Sequence, residues 1–231
     1  MPRPLILAAH GSESSQGRAS LARFVNVVRR AVRGSDVHDA FLDVEEPLVD
    51  EVVAGIAGPR SVVPLMLHAE PAARGLLRGV AATDPFVTVT PPLGPDWVLA
   101  EVGVRRLIEA GARPEDSILL AADTAADLHA VEEVGRAARF LSAVWGGRVH
   151  VGTLSGPDTS LSDAVDIARA YGGRVVIASY LLTTGRAHET FQLSEADVVT
   201  EPLLDSGVPD QRLVELVLAR LHARTADVAD L

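Results

Sequence analysis

Leu5-Ile-Leu-Ala-Ala-His10-Gly-Ser12 and Ile118-Leu-Leu-Ala-Ala-Asp123-Thr-Ala125 are the same phrase at two places in a chain of 231 residues. The likeness continues downstream in unchanged order. Ser61-Val-Val-Pro64-Leu-Met-Leu67 is answered by Val175-Val-Ile-Ala-Ser179-Tyr-Leu-Leu182, Val89-Thr-Pro-Pro92-Leu93 by Val199-Thr-Glu-Pro202-Leu203, and Arg105-Arg-Leu107 by Ala219-Arg-Leu221. A period of about 110 residues is far longer than a solenoid unit, so the chain reads as two fused, domain-sized copies of one unit related by a pseudo-twofold. His10 stands opposite Asp123 in this alignment, so the copies differ where chemistry is expected.

Within each copy, short apolar runs bounded by Gly, Pro or Asp alternate with segments of helical periodicity. The runs are Leu5 to Ala9, Val37 to Val44, Ser61 to Leu67 and Phe86 to Thr90, then Ser117 to Ala122, Arg148 to Leu154, Arg174 to Leu182 and Asp197 to Thr200. Ser20 to Val32 puts Leu21, Phe24, Val25, Val28 and Val32 on one stripe, the mark of a helix covering a sheet. Further helices are expected at Val98 to Ala110, Ala126 to Trp145, Ser160 to Tyr171, His188 to Leu193 and Asp210 to Ala223. The fold class is therefore α/β, with a four-stranded parallel sheet flanked by helices in each copy. Residues 1–111 form the first lobe, 112–116 a linker rich in turn formers, and 117–225 the second lobe, with fraying expected from Thr225 to Leu231.

Composition narrows the function. A formal charge of -10 disfavours nucleic acid and anionic membrane as partners. All 21 basic residues are arginine, so no lysine exists for a Schiff base or a phosphate-binding loop. Without cysteine there is no disulfide, thiolate metal site or cysteine nucleophile. No apolar run is long enough for a membrane span, and the opening apolar stretch is too short for a signal peptide, from which a cytoplasmic location is expected.

In parallel sheets of this kind ligands bind beyond the carboxyl ends of the strands. His10, His68, Asp123 and the loop Thr183-Thr184-Gly185-Arg186 fall at that edge. His10 follows an apolar strand and precedes Gly11, which lets the backbone turn closely around a ligand. The same position also suits a turn residue whose ring bonds a nearby carbonyl.

Ala8-Ala9-His10-Gly11-Ser12, Asp43-Val-Glu-Glu46-Pro47, Val62-Val-Pro64-Leu-Met-Leu67 and Pro92-Leu-Gly94 together resemble the class II tetrapyrrole chelatases, the sirohydrochlorin cobaltochelatase and ferrochelatase family in its long, duplicated form. The likeness covers nearly the whole chain. It implies two tandem flavodoxin-like, chelatase-like lobes and a lyase that inserts a divalent metal, Co²⁺ or Fe²⁺, into a sirohydrochlorin-type tetrapyrrole in the cleft between them. It implies no ATP and no cofactor, since the metal is a substrate, and a role in cobalamin or siroheme biosynthesis. The partners it implies are the tetrapyrrole and the ion, for a monomer or homodimer.

By that resemblance His10 matches the histidine that binds the ion or takes a pyrrole proton, and Glu46 the carboxylate before the proline. The family's second histidine would fall at position 72, which here is Ala72. His68 and His188 are the candidate substitutes, with a loop residue paired to Glu70 and a helix N-terminal residue near Glu189 as their structural alternatives. The carboxylates of a tetrapyrrole call for arginine, which bonds them in bidentate fashion. Arg18, Arg74, Arg78 and Arg186 are the candidates, with Ser12, Thr183 and Thr184 as hydroxyl donors. A non-catalytic tetrapyrrole or metallotetrapyrrole binder built on the same fold is the alternative reading. A periplasmic-type solute binder shares the bilobal plan and stands as a remote third.

Overall fold

A run such as Leu5–Ala9 has no polar position to turn toward solvent, and the strand it forms is buried along its whole length. Arg60–Pro64 and Val175–Ser179 are buried along their whole length too, with Arg60, Ser61 and Ser179 as their buried polar residues. The computed structural model describes residues 3–32, 34–68, 70–124, 127–156 and 158–222. The first repeat runs β1 (Leu5–Ala9), α1 (Ser15–Ala31), β2 (Val37–Phe41), α2 (Val49–Gly55), β3 (Arg60–Pro64), α3 (Pro71–Thr83), β4 (Val87–Val89) and α4 (Trp97–Glu109). The second runs β5 (Ser117–Ala122), α5 (Leu128–Trp145), β6 (Val149–Thr153), α6 (Leu161–Ala170), β7 (Val175–Ser179), α7 (Arg186–Gln192), β8 (Val198–Val199) and α8 (Gln211–His222). The expected tail from Thr225 lies outside the described residues.

Each repeat supplies one four-stranded parallel sheet, ordered β2-β1-β3-β4 and β6-β5-β7-β8. Register repeats as well: Ala9 pairs with Phe41 in the first sheet and Ala122 with Thr153 in the second. Ile6, Ala8 and Val62 pack under Val49 and Val53 of α2 and Leu77 and Val80 of α3. Leu119, Ala121 and Ile177 do the same under α6 and Phe191 of α7. Helix α1 begins five residues before the expected Ser20, because the Ser14 hydroxyl accepts from the Gly17 amide and caps a polar first turn that apolar periodicity does not reveal.

The compact units do not coincide with the repeats. One unit comprises residues 1–93 and 208–231 and the other 94–207, in place of the expected lobes 1–111 and 117–225. Helix α4, which ends the first repeat, lies in the unit of the second sheet, and α8, which ends the second, lies with the first sheet. An equivalent arginine anchors each exchanged helix. Arg106 of α4, only 7% exposed, donates to the Leu203 carbonyl at 2.9 Å and to Asp205 at 2.7 Å. Arg220 of α8 donates to the carbonyls of Pro92 and Leu93, both at 2.8 Å. Thus the Pro-Leu turn after the last strand of each sheet is closed by the arginine of the other repeat's final helix. The carboxylates of Asp205 and Glu109 offset the cost of burying the Arg106 cation.

The expected linker is stapled to the second sheet through Asp116, whose carboxylate receives Arg174 at 3.2 and 2.7 Å and the Arg113 amide at 2.9 Å. The bond from Arg174 is the main cause holding the Asp116 carboxyl below its usual range. A depressed carboxylate stabilises the fold above its unfolded value and loses that contribution as pH falls through the folded value. Asp116→Asn is therefore expected to lower denaturant stability at neutral pH, with the gap to wild type closing below about pH 4. A gap independent of pH would contradict this assignment.

Candidate functional site

Parallel pairing of β1 and β2 brings the loops after them together at the carboxyl edge of the first sheet. Ala9 is level with Phe41, so His10 emerges beside the segment Asp43–Glu46. The two loops are locked by short bonds. The Gly11 amide donates to Asp43 Oδ1 at 3.0 Å, and the Ser12 amide to Glu45 Oε1 at 2.7 Å. Arg18 reaches back to the carbonyls of Ser12 and Glu13 at 2.7 and 3.1 Å.

The approach is close enough that only glycine fits at position 11. A Cβ there would stand 2.7 Å from the Asp43 carbonyl oxygen and 2.8 Å from the Glu45 nitrogen, both backbone atoms that cannot swing aside. Gly11→Ala is expected to cost about 1–3 kcal/mol of stability, measured by urea denaturation. A loss within experimental error would mean the loops separate freely. Val44 carries φ of 58°, a left-handed conformation unusual for a β-branched residue, so the loop is held against a local preference.

The outcome of this packing is a histidine with a fixed tautomer. His10 Nδ1 lies 3.0 Å from Asp43 Oδ2, and since a carboxylate only accepts, Nδ1 carries the hydrogen. In the neutral ring the Nε2 lone pair is then left for a ligand or a proton. The side chains of His10 and Asp43 are 35% and 50% exposed, so the ring is within reach of a substrate.

The carboxylate that orients His10 is thus Asp43, not Glu46. Sequence reading missed it by running the second strand to Val44, whereas β2 ends at Phe41 and leaves Asp43 in the loop. The signal was present, because Asp43 lies two residues past the strand that pairs with β1. Glu46 is exposed and lines a cleft on the α1 side, together with Arg18 and Glu45.

His68 follows β3, the other neighbour of β1, and is half-buried at the same edge as His10. Ala72 lies exposed in the first turn of α3, with Arg74 half-buried and Arg78 exposed one helical turn apart. Among the described residues no three His, Asp or Glu side chains converge in a way that would hold a metal ion.

Residues 4–110 match the CbiX family model. That match covers the first repeat. The chain is also similar in structure to SirB from Bacillus subtilis with Fe³⁺, at 17% identity and a TM-score of 0.75, over 96% of this chain and 94% of that one. The sirohydrochlorin chelatase SirB from Bacillus subtilis subspecies spizizenii in complex with cobalt aligns with a TM-score of 0.69 at 17% identity, over 95% and 94%. A multi-domain protein from Deinococcus radiodurans with structural similarity to chelatases gives 0.68 at 22% identity, over 98% of this chain but 56% of its own. No curated protein matches the sequence. These likenesses bear out the chelatase-type α/β fold and the resemblance read from His10, Asp43–Pro47 and Pro64.

Outside the residues that the family model matches, the second repeat keeps the scaffold and changes the donors. Asp123 and Ser155 occupy the places of His10 and Asp43, and the Ser155 hydroxyl lies 3.2 Å from Asp123 Oδ1. Thr124 is buried and donates to the Ser155 carbonyl at 2.7 Å, while Ser155 Oγ bonds the Thr124 carbonyl. Thr183 and Thr184 stand where His68 stands, Thr183 half-buried and Thr184 buried, and Arg186 is exposed at the start of α7. His188 is not at the edge. It is 3% exposed, and its Nε2 lies 3.0 Å from the Thr200 carbonyl, to which it must donate. Counting from the helix starts Pro71 and Arg186, His188 corresponds to the buried Ala73, which places it on the inward face of α7. The expectation of His188 as a metal ligand is corrected on this ground.

Proposed function

We propose that the protein inserts a divalent metal ion, Co²⁺ or Fe²⁺, into a sirohydrochlorin-type tetrapyrrole without ATP, at the carboxyl edge of its first sheet. The observation that carries this reading is the His10–Asp43 pair. A neutral imidazole whose Nδ1–H is held by a carboxylate has its ring fixed and presents the Nε2 lone pair as a donor, the arrangement found behind metal-binding histidines. Imidazole suits Fe and Co, and near neutral pH it also serves as a base.

Insertion exchanges two pyrrole N–H protons for one M²⁺. His10 Nε2 delivers the ion or accepts one of these protons, His68 supplies the second imidazole at the same edge, and water removes what remains. Arg74 and Arg78 are the proposed partners of the macrocycle's carboxylates at this edge, with Ser12 as a further donor, and Arg186, Thr183 and Thr184 are the corresponding donors at the edge of the second sheet. Arg18 contributes by holding the Ser12–Glu13 backbone. The SirB proteins supply sirohydrochlorin, cobalt and iron, the iron there being Fe³⁺, and the divalent state comes from the family resemblance.

A second reading has its own support. Ala72, where the family's second histidine is expected, and the lack of a three-donor cluster among the described residues suit a protein that binds the pigment without metallating it. Incubation with sirohydrochlorin and Co²⁺ or Fe²⁺, followed by absorbance, separates the two. Metal insertion faster than in buffer supports the chelatase, whereas saturable pigment binding with no acceleration supports the binder.

A further inference from the structure

On the face of the first sheet opposite α2 and α3 there is a cleft of about 260 Å³, floored by Leu7, Leu65 and Phe41 and walled by Leu21 and Val25 of α1. Its rim carries three carboxylates, Asp39, Glu45 and Glu46, against one guanidinium, Arg18. The polar groups are unequally engaged. Arg18 is directed to the Ser12 and Glu13 carbonyls, Asp39 shares Arg29 at 3.1 Å, and Glu45 receives the Ser12 amide. Glu46 is an exposed carboxylate without a hydrogen-bond or ion-pair partner among the described residues.

This chemistry rejects the carboxylates of a tetrapyrrole, and the volume lies below the roughly 300–1,000 Å³ of a drug-sized ligand site. A bare metal ion fits no better, because Asp39 and Glu45 are already engaged and the three carboxylates do not converge into a set that would hold one. What the cleft complements is an apolar body carrying one positive charge. The body displaces water from Leu7, Leu65 and Val25, the Phe41 ring suits a cation, and Glu46 supplies the counter-charge.

We propose that the α1–β2 cleft is a binding site for a small organic cation, an alkyl- or arylammonium or guanidinium of fragment size, independent of the metal chemistry at His10. Benzylammonium tested against benzyl alcohol and phenylacetate decides the matter, using ¹H–¹⁵N chemical shifts of the full-length protein. Benzylammonium is expected to give saturable shifts at residues 18–25 and 39–46. Benzyl alcohol should bind more weakly by about two- to fivefold, the worth of one exposed ion pair, and phenylacetate not at all. Glu46→Gln should reduce the preference for the ammonium over the alcohol. Ala22→Phe, a change at an exposed position of α1 that fills the cleft mouth, should abolish binding while leaving the rest of the spectrum in place. Absence of saturable shifts, equal response to phenylacetate, or binding undiminished by Ala22→Phe in a folded protein would each overturn the proposal.

Discussion

Ending the chain at Gly207 is expected to unfold residues 3–93 while residues 94–207 stay folded. Cutting there removes α8, which the sequence attaches to the second repeat but whose side chains complete the unit of the first sheet. Leu213, Val214 and Val217 are each 0% exposed and Leu216 is 4% exposed, packed toward α1 and β3. At about 1.5–3 kcal/mol for each aliphatic side chain buried, their loss is on the order of 6–12 kcal/mol. That matches the whole stability of a typical domain, about 5–15 kcal/mol. The carbonyls of Pro92 and Leu93 lose the Arg220 guanidinium as well. Amide hydrogen exchange reads the result directly: protection should vanish from β1 to β4 and persist in β5 to β8. Persistent protection of β1 and β3 would show that α8 is dispensable to that sheet.

Why this exchange of helices is invisible in the sequence follows from what amphipathicity encodes. The stripe of α4 through Leu99, Val102, Arg106 and Leu107 announces a buried face, but it does not name the sheet that the face covers. Adjacency along the chain favours the wrong one. Only the paired arginines Arg106 and Arg220, which fall at equivalent places in the two repeats, carry a trace of the reciprocity, and their partners are backbone carbonyls with no signature of their own. The sheets themselves were legible, because parallel strands covered on both faces are largely apolar, and Leu5–Ala9 and Ser117–Ala122, apolar after Ser117, form strands at the expected bounds.

The site was legible by halves. His10 stood out through its place after such a strand and before Gly11, whose narrow fit against Asp43 and Glu45 explains why glycine is there. The role of Asp43 was hidden by a strand end drawn three residues too late, and the burial of His188 by helical phase, since a shift of one position on α7 separates an outward residue from an inward one. Both errors concern boundaries, the least determined feature of a periodicity reading.

His10→Ala should abolish accelerated metal insertion, and Asp43→Asn should reduce it by about 10- to 100-fold, the usual cost of removing the group that orients a metal-binding histidine. The second substitution is the more informative. An asparagine has a single acceptor oxygen where Asp43 uses two, so it keeps the Nδ1–H bond of His10 only by giving up the bond from the Gly11 amide, although the side chain is nearly unchanged in size. What disappears, besides that one bond, is the negative charge, which favours any positive charge that develops on the ring. The loss should therefore appear in the rate of insertion, with affinity for metal-free pigment unchanged, and the imidazole resonances of His10 should show which of the two bonds the asparagine keeps, since a ring facing its NH2 must carry the hydrogen on Nε2. Two results would contradict the assignment: full activity in His10→Ala, which would move the chemistry elsewhere, or an Asp43→Asn rate equal to wild type. Were Asp43→Asn to weaken pigment binding and leave the insertion rate alone, the carboxylate would be serving the loop that Gly11 and Ser12 close, and the Nε2 donor would owe nothing to it.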